Sequence, residues 1–442
     1  MSDSSNDYEN ISVLKNKESL SCDILTQATG KGVRIIWYFT QNLFQEDVST
    51  NPITFIRREI DVIVLPSFPD VVKTWKWAKS VFNYSDNQAY FYDPFENNKE
   101  EKNMLENLIS FLKKTGLVNG YSDFQFLPFC TNLVLNEVAE LHGIGILNDN
   151  LWALPDKSWL HKNIPGSNLP DPEEIFGIKF AEDVKVPKGY VIHSFEELHL
   201  AKKILEEQGV KKFVIKNVVG LGGYNIWPIR NQSEFDVALK EMSFPKNLLG
   251  YTRPPKYIIE ELYDFSVGEK DTCYTPVVHY LGQMLIPGVY YQYCPVFSYS
   301  GMNSQTPPLN IQNECLRQSE IIRNTLNFKG PWGIDFVLDS EDNCYIIDIN
   351  FGRICGSHYF RFFVSLYADG KQFDSWTHPT NPEITSFYDK MTELGINFDF
   401  DKKRGIMLIR VLDPKKLSVL CIGDDFDDLA NLKNIFLSNF LG

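Results

Sequence analysis

Asp335, Asp348 and Asn350 have the residue types and spacing for metal chemistry. They lie in GPWGIDFVLDSEDNCYIIDINFGRICGSHY, Gly330 to Tyr359. Trp332 to Leu338 and Cys344 to Ile349 alternate or run apolar, which predicts two strands. The polar cluster Ser340 to Asn343 predicts the turn between them. With a turn of two or four residues, paired positions sum to 683, and Asp335 stands directly opposite Asp348. Asn350, two residues on, shares their face. An odd-length turn would shift this register. Like charges opposed across a sheet destabilise it, so the pair argues for a cation between them. Two carboxylates and an amide oxygen form a hard, all-oxygen set, which suits Mg²⁺ shared with phosphates better than Zn²⁺. A solvated hairpin with an acidic face would carry the same residues.

Upstream, FVIKNVVGLGGYNI ends a strand in Lys216 and follows it with Gly220, Gly222 and Gly223. Glycines let backbone N–H groups approach a phosphate, and a lysine adds a point charge. No Gly-Lys-Ser/Thr follows, so this is not a Walker A loop, and a plain glycine turn would look alike. In YIIEELY an apolar strand runs into Glu260 and Glu261, then Tyr263. Such a segment suits an adenine edge; a strand ending in solvated acids is the alternative. Glu269 suits a ribose, with Asp264 and Asp271 competing. Lys157 follows Asp156, where a surface ion pair is the simpler reading. Arg353 follows Asn350 closely and can stabilise charge on a phosphoryl or acyl-phosphate group. His358 either binds substrate or is an ordinary loop residue. The other six histidines show no ligand spacing.

These groups need strands and helices to hold them. Val33 to Phe39, Asp61 to Leu65 and Ala89 to Tyr92 read as strands, with helical patterns at Asp70 to Phe82, Lys102 to Lys114 and Thr131 to Leu141. Alternation of this kind predicts a parallel, doubly wound sheet. No GxGxxG follows the first strand. Asn163 to Glu174 is a Pro, Gly and Asn-rich linker. Pro187 to Ile192, Lys212 to Lys216, Tyr257 to Leu262, Thr275 to Leu281 and Gln283 to Tyr290 read as strands. Ser194 caps a helix through Leu205, with Glu197 completing a capping box. Ser233 is expected to cap a helix to Met242, and Asn313 to Leu326 to be helical. Arg404 to Leu412 and Leu417 to Gly423 form a hairpin with its turn at Asp413-Pro414, before a helix over Asp427 to Asn439.

The chain has 442 residues and a net charge of −14. That length allows two or three domains. The charge argues against nucleic acid or an acidic membrane as partner. Eight scattered cysteines show no metal spacing and are expected to be reduced thiols of a cytoplasmic protein. No apolar run approaches a membrane span, and the N-terminus lacks the pattern of a signal peptide.

Taken in chain order, the motifs resemble the ATP-grasp superfamily across roughly Leu151 to Leu366. The thirteen-residue step from Asp335 to Asp348, with Asn350 two further on, is the most specific part. The resemblance implies that Lys157 and Lys216 contact phosphates and that Gly220, Gly222 and Gly223 cover them. Glu260, Glu261 and Tyr263 would hold adenine and Glu269 the ribose. Asp335, Asp348 and Asn350 would bind Mg²⁺, or Mn²⁺ in its place. Arg353 and Lys216 would act on the transferring phosphoryl group. There are departures: Asp348 stands where Glu is commoner, Arg353 comes one residue late, and the interval from Lys157 to Lys216 is stretched. INFGRICGSHY and LYADGKQFD are similar to the peptide ligases of this superfamily.

The implied fold class is α/β. Residues 1–30 form a tail, 31–150 a pre-ATP-grasp parallel-sheet domain, 151–366 an ATP-grasp domain of two α+β subdomains, and 367–442 a small C-terminal α/β extension. The implied activity is an ATP-dependent carboxylate–amine ligase joining small molecules such as amino acids or peptides through an acyl phosphate. A small-molecule kinase and a non-catalytic nucleotide-binding protein are the alternatives. A homodimer is a fold-level expectation.

Overall fold

The computed structural model describes residues 34–38, 62–67, 84–92, 124–128, 145–146, 157–167, 183–218, 226–242, 256–263, 274–294, 299–351 and 356–440, with gaps at 327, 329–330, 380–383 and 414–415. It also describes scattered positions between 69 and 114 and at 169 and 171. The expected helix over Thr131 to Leu141 lies outside these residues.

The first sheet has five strands: β1 (Arg34–Tyr38), β2 (Val62–Pro66), β3 (Ala89–Tyr92), β4 (Phe124–Pro128) and β5 (Gly145–Ile146). Their order is β3-β2-β1-β4-β5, and every pairing is parallel. Val62 to Leu65 are all buried, as expected when helices cover both faces of a parallel sheet. β4 and β5 carry no clear alternating pattern and are additions to the sequence reading.

The second sheet holds β6 (Lys162–Asn163), β7 (Gly189–Ile192), β8 (Phe213–Asn217), β9 (Ile226–Ile229) and β10 (Tyr257–Glu261), in the order β6-β7-β10-β8-β9. Helices α1 (Phe195–Glu207) and α2 (Gln232–Glu241) pack on one face. Ser194 caps α1 by accepting from the Glu197 N–H at 3.1 Å. The Glu197 carboxylate returns to the His193 N–H, one residue before the cap. The cap of α2 is Asn231 rather than Ser233: its side chain accepts the Glu234 N–H at 3.0 Å. Both residue types suit a cap, and the extended backbone at Asn231 decides.

The third sheet is antiparallel: β11 (Tyr274–Leu281), β12 (Met284–Tyr293), β13 (Gly301–Met302), β14 (Pro331–Leu338) and β15 (Cys344–Phe351), in the order β13-β12-β11-β14-β15. One face packs on α3 (Leu309–Leu326) through Val278, Tyr280, Val289, Trp332, Ile334 and Phe336. Helix α4 (Gly356–Tyr367), to which the sequence reading assigned no element, lies over the other face, where His279 meets Ser357 at 2.8 Å.

The fourth sheet joins β16 (Gln372–Pro379), β17 (Gly405–Asp413) and β18 (Lys416–Gly423), in the order β16-β18-β17. Helices α5 (Ile384–Glu393) and α6 (Phe426–Phe440) share its core. β16 runs against β13 so closely that a Cβ on Gly301 would meet the Ser375 carbonyl at 1.9 Å. The C-terminal sheet is thereby fixed to the edge of the third.

Candidate functional site

The second and third sheets meet at β15. On β8 and β10, Phe213, Ile215, Tyr257 and Ile259 face the helices. Alternation turns Lys216 and Glu260 to the opposite face. Both are buried, Glu260 to 1 % exposure. Their charges pair directly, and His161 Nε2 lies 2.7 Å from the same carboxylate. Burial alone would push the Glu260 carboxyl up; the Lys216 ammonium and the His161 hydrogen bond outweigh it and hold it below the ordinary range. Lys216 Nζ also donates to the Ile347 carbonyl at 3.3 Å.

That carbonyl is available because β15 carries a bulge. Leu338 pairs with Cys344, so the turn is Asp339 to Asn343, five residues long. Left alone, this odd turn would put Ile347 opposite Asp335. Instead Phe336 pairs with Ile346, and Asp335 pairs with Asp348. Ile347 is the extra residue of a bulge that restores the register. Asp339 organises the turn by accepting the Glu341 and Asn343 N–H groups at 2.8 and 2.9 Å.

Asp335 and Asp348 are therefore opposed, with Asn350 on their face. Asn350 Nδ2 donates to one Asp335 oxygen at 3.1 Å and Gln292 Nε2 to the other at 3.0 Å. These amides fix the Asp335 carboxylate. The Asn350 side chain also carries an amide oxygen, a donor of the hard type that Mg²⁺ takes. Among the described residues no cluster of three or more His, Cys, Asp or Glu side chains is placed to hold a metal. The hard donor set is two aspartates and an amide, which leaves coordination positions for water or phosphate oxygens, as Mg²⁺ requires.

Glu261 faces away from Glu260 and accepts from the Tyr263 hydroxyl at 3.1 Å. Tyr263 stacks on Tyr345 of β15, with ring centroids 4.6 Å apart. Burial, then the Glu261 charge, pushes the Tyr263 hydroxyl far up. The structure thus brings Lys216 and Glu260 together beside the aspartate hairpin, and ties Glu261 and Tyr263 to its outer end. Lys157 opens a single helical turn, Lys157–Leu160, that leads into His161; its side chain lies outside the described residues. Gly220, Gly222, Gly223, Glu269 and Arg353 also lie outside them. His161 and Gln292 were not singled out in the sequence, because their partners lie 99 and 43 residues away.

No protein-family model and no curated protein sequence matches the chain. Solved structures do. An N5-carboxyaminoimidazole ribonucleotide synthetase in complex with ADP superposes with a TM-score of 0.58 at 10% identity, covering 92% of this chain and 96% of that one. A carboxyaminoimidazole ribonucleotide synthase from Aspergillus clavatus, with ATP, gives 0.55 at 11% identity, covering 92% and 98%. A biotin carboxylase from Campylobacter jejuni gives 0.56 at 11% identity, covering 92% and 91%. The chain carries the ATP-grasp fold. The parallel N-terminal sheet, the two ATP-grasp sheets and the C-terminal sheet follow one another as in the α/β class expected from the motifs. Among the described residues no helix is long and apolar enough to cross a membrane.

Proposed function

We propose that this protein is an ATP-dependent carboxylate–amine ligase. The observation that carries the reading is the register that sets Asp335 opposite Asp348, with Asn350 on the same face and the Lys216–Glu260 pair alongside. The ATP-grasp fold supports it, as do neighbouring structures solved with ADP, ATP or MgADP.

Asp335, Asp348 and the Asn350 amide oxygen would hold Mg²⁺, which Mn²⁺ can replace. The bound ion would neutralise charge on the ATP phosphates. Lys216 supplies a fixed positive charge beside them, and Gln292 keeps Asp335 oriented. A substrate carboxylate oxygen attacks the γ-phosphorus, the bond to the bridging oxygen breaks, and ADP leaves. An amine nitrogen then attacks the acyl carbon. Phosphate leaves, the nitrogen loses a proton, and an amide remains. The chemistry needs no side-chain nucleophile; positioning and charge stabilisation carry it. Amino acids or short peptides are the proposed substrates, on the likeness of INFGRICGSHY and LYADGKQFD to the peptide ligases. Lys157, Gly220, Gly222, Gly223, Glu261, Tyr263, Glu269 and Arg353 are proposed to complete the nucleotide site.

The test is phosphate release and product mass with ATP, Mg²⁺ and a pool of amino acids. Release that needs both an acid and an amine is the expected result. A stable phosphorylated product without free phosphate would convert the reading to a small-molecule kinase.

A further inference from the structure

The face that carries the aspartates continues across the third sheet. In one cross-strand row Asp348 faces Asp335, Asp335 faces Val277, and Val277 faces Tyr290. At the usual strand spacing Tyr290 stands roughly 10 Å from Asp335. Helix α4 covers this region with Arg361. Its guanidinium lies 3.9 Å from the Tyr290 ring centre and 5.6 Å from that of Phe373. One terminal nitrogen donates to the Pro287 carbonyl. The residue is 4 % exposed, yet its Nε–H has no acceptor.

An arginine keeps its proton in a protein. Burial therefore leaves a permanent cation in a poor solvent for charge, which is costly unless an anion accompanies it. The carboxylate whose charge bears on Arg361 is Asp369, itself exposed. Arg361 lines a cavity of about 280 Å³ with Tyr290, Ser304, Thr306, Ser365 and Lys371; Asp369 lines it too. Lys371 is paired with Asp424. Arg361 is then the cation with donor capacity to spare, while the Ser304 and Ser365 hydroxyls already donate, to Gln372 Oε1 and to the Arg361 carbonyl.

We propose that this cavity binds a carboxylate of the small-molecule substrate that is not the one activated at Asp335 and Asp348. The acid or the amine would bear a second carboxylate, as a short peptide does. That assignment rests on the ligase reading; the anion site itself rests only on the cavity and its buried arginine.

The experiment is calorimetric titration of the full chain without nucleotide, using succinate, its uncharged diamide and inorganic phosphate. Succinate should bind and the diamide should not. Arg361→Gln should weaken succinate roughly 10- to 100-fold, the loss of a charge-assisted hydrogen bond. Asp369→Asn, an exposed change, should tighten it about threefold by removing a like charge. If Arg361→Gln does not fold, Asp369→Asn decides by its opposite sign. Equal binding of succinate and diamide, no binding of succinate at millimolar concentration, or indifference to both substitutions overturns the proposal. Preference for phosphate over succinate overturns the carboxylate assignment. ATP·Mg²⁺ is titrated in parallel with the wild-type chain. Succinate binding without ATP binding would sink the ligase reading alone, and the reverse would sink the cavity alone.

Discussion

Lys216 donates its ammonium hydrogen to the carbonyl of Ile347, the residue that the β15 bulge leaves without a cross-strand partner. One irregularity thus does two things. It returns Asp348 to its place opposite Asp335, and it frees a backbone acceptor that ties the second sheet to the third. Deleting Ile347 separates these roles. Ile346 already pairs with Phe336, so Asp348 would still follow into register with Asp335. The acceptor for Lys216 would be gone. The variant should fold, and its affinity for ATP·Mg²⁺ should fall roughly tenfold, the worth of one hydrogen bond to a charged group. Calorimetric titration checks this, and unchanged affinity would reduce the bulge to a strand irregularity.

Glu260 is the counter-ion that lets Lys216 stay buried. Removing one partner of a buried pair leaves an uncompensated charge and costs about 3–5 kcal/mol. Glu260→Ala should lose stability on that scale in urea titration. The double variant Glu260→Ala with Lys216→Met should recover most of it, because no charge is then stranded. If the double variant is as unstable as the single, the pair is not what Glu260 contributes.

The same carboxylate sets an acid limit. Its folded-state pKa lies below the ordinary value of 4.5. The stabilisation is therefore fully present above pH 4.5 and is lost as the pH falls through the lowered folded value. Glu260→Gln removes this dependence. The stability gap between wild type and Glu260→Gln should be constant near neutrality and close as the pH falls below the ordinary 4.5 toward the lowered folded value. A gap that widens on acidification would mean that the carboxyl is not held ionised by Lys216 and His161.

The hairpin and its charged face were legible in the sequence, though the expected register rests on a compensation. That register needs an even turn or a compensating shift; the turn is odd, and the bulge cancels its effect. The signal was present in the core positions. Cys344 and Ile346 are two apart, but the next buried residue, Ile349, comes three later. That slip in phase is what a bulge looks like in sequence. Helix α4 could also have been read, since Phe360, Phe363 and Val364 have helical spacing and are buried. β16 could not. Phe373 and Ser375 are buried on one side, Asp374 and His378 on the other, so neither face is uniformly apolar. The partnership of His161 with Glu260 joins residues 99 apart, and no local pattern encodes it.

The aspartate pair itself makes the sharpest prediction. Two carboxylates opposed across a sheet repel when nothing lies between them, at a cost of up to about 1 kcal/mol. Asp348→Ala should therefore leave the protein as stable as wild type, or slightly more so, in the presence of a chelator. Adding Mg²⁺ should raise the melting temperature of the wild type and leave that of Asp348→Ala unmoved, because binding stabilises only the state that binds. Mn²⁺ should act like Mg²⁺, since both take hard oxygen ligands. ATP-dependent phosphate release should fall by roughly 100-fold or more with the ligand removed. Thermal melts with and without the ion read the first effect, and a phosphate assay reads the second. A Mg²⁺ response that survives in Asp348→Ala, or turnover near the wild-type rate, would place the metal elsewhere.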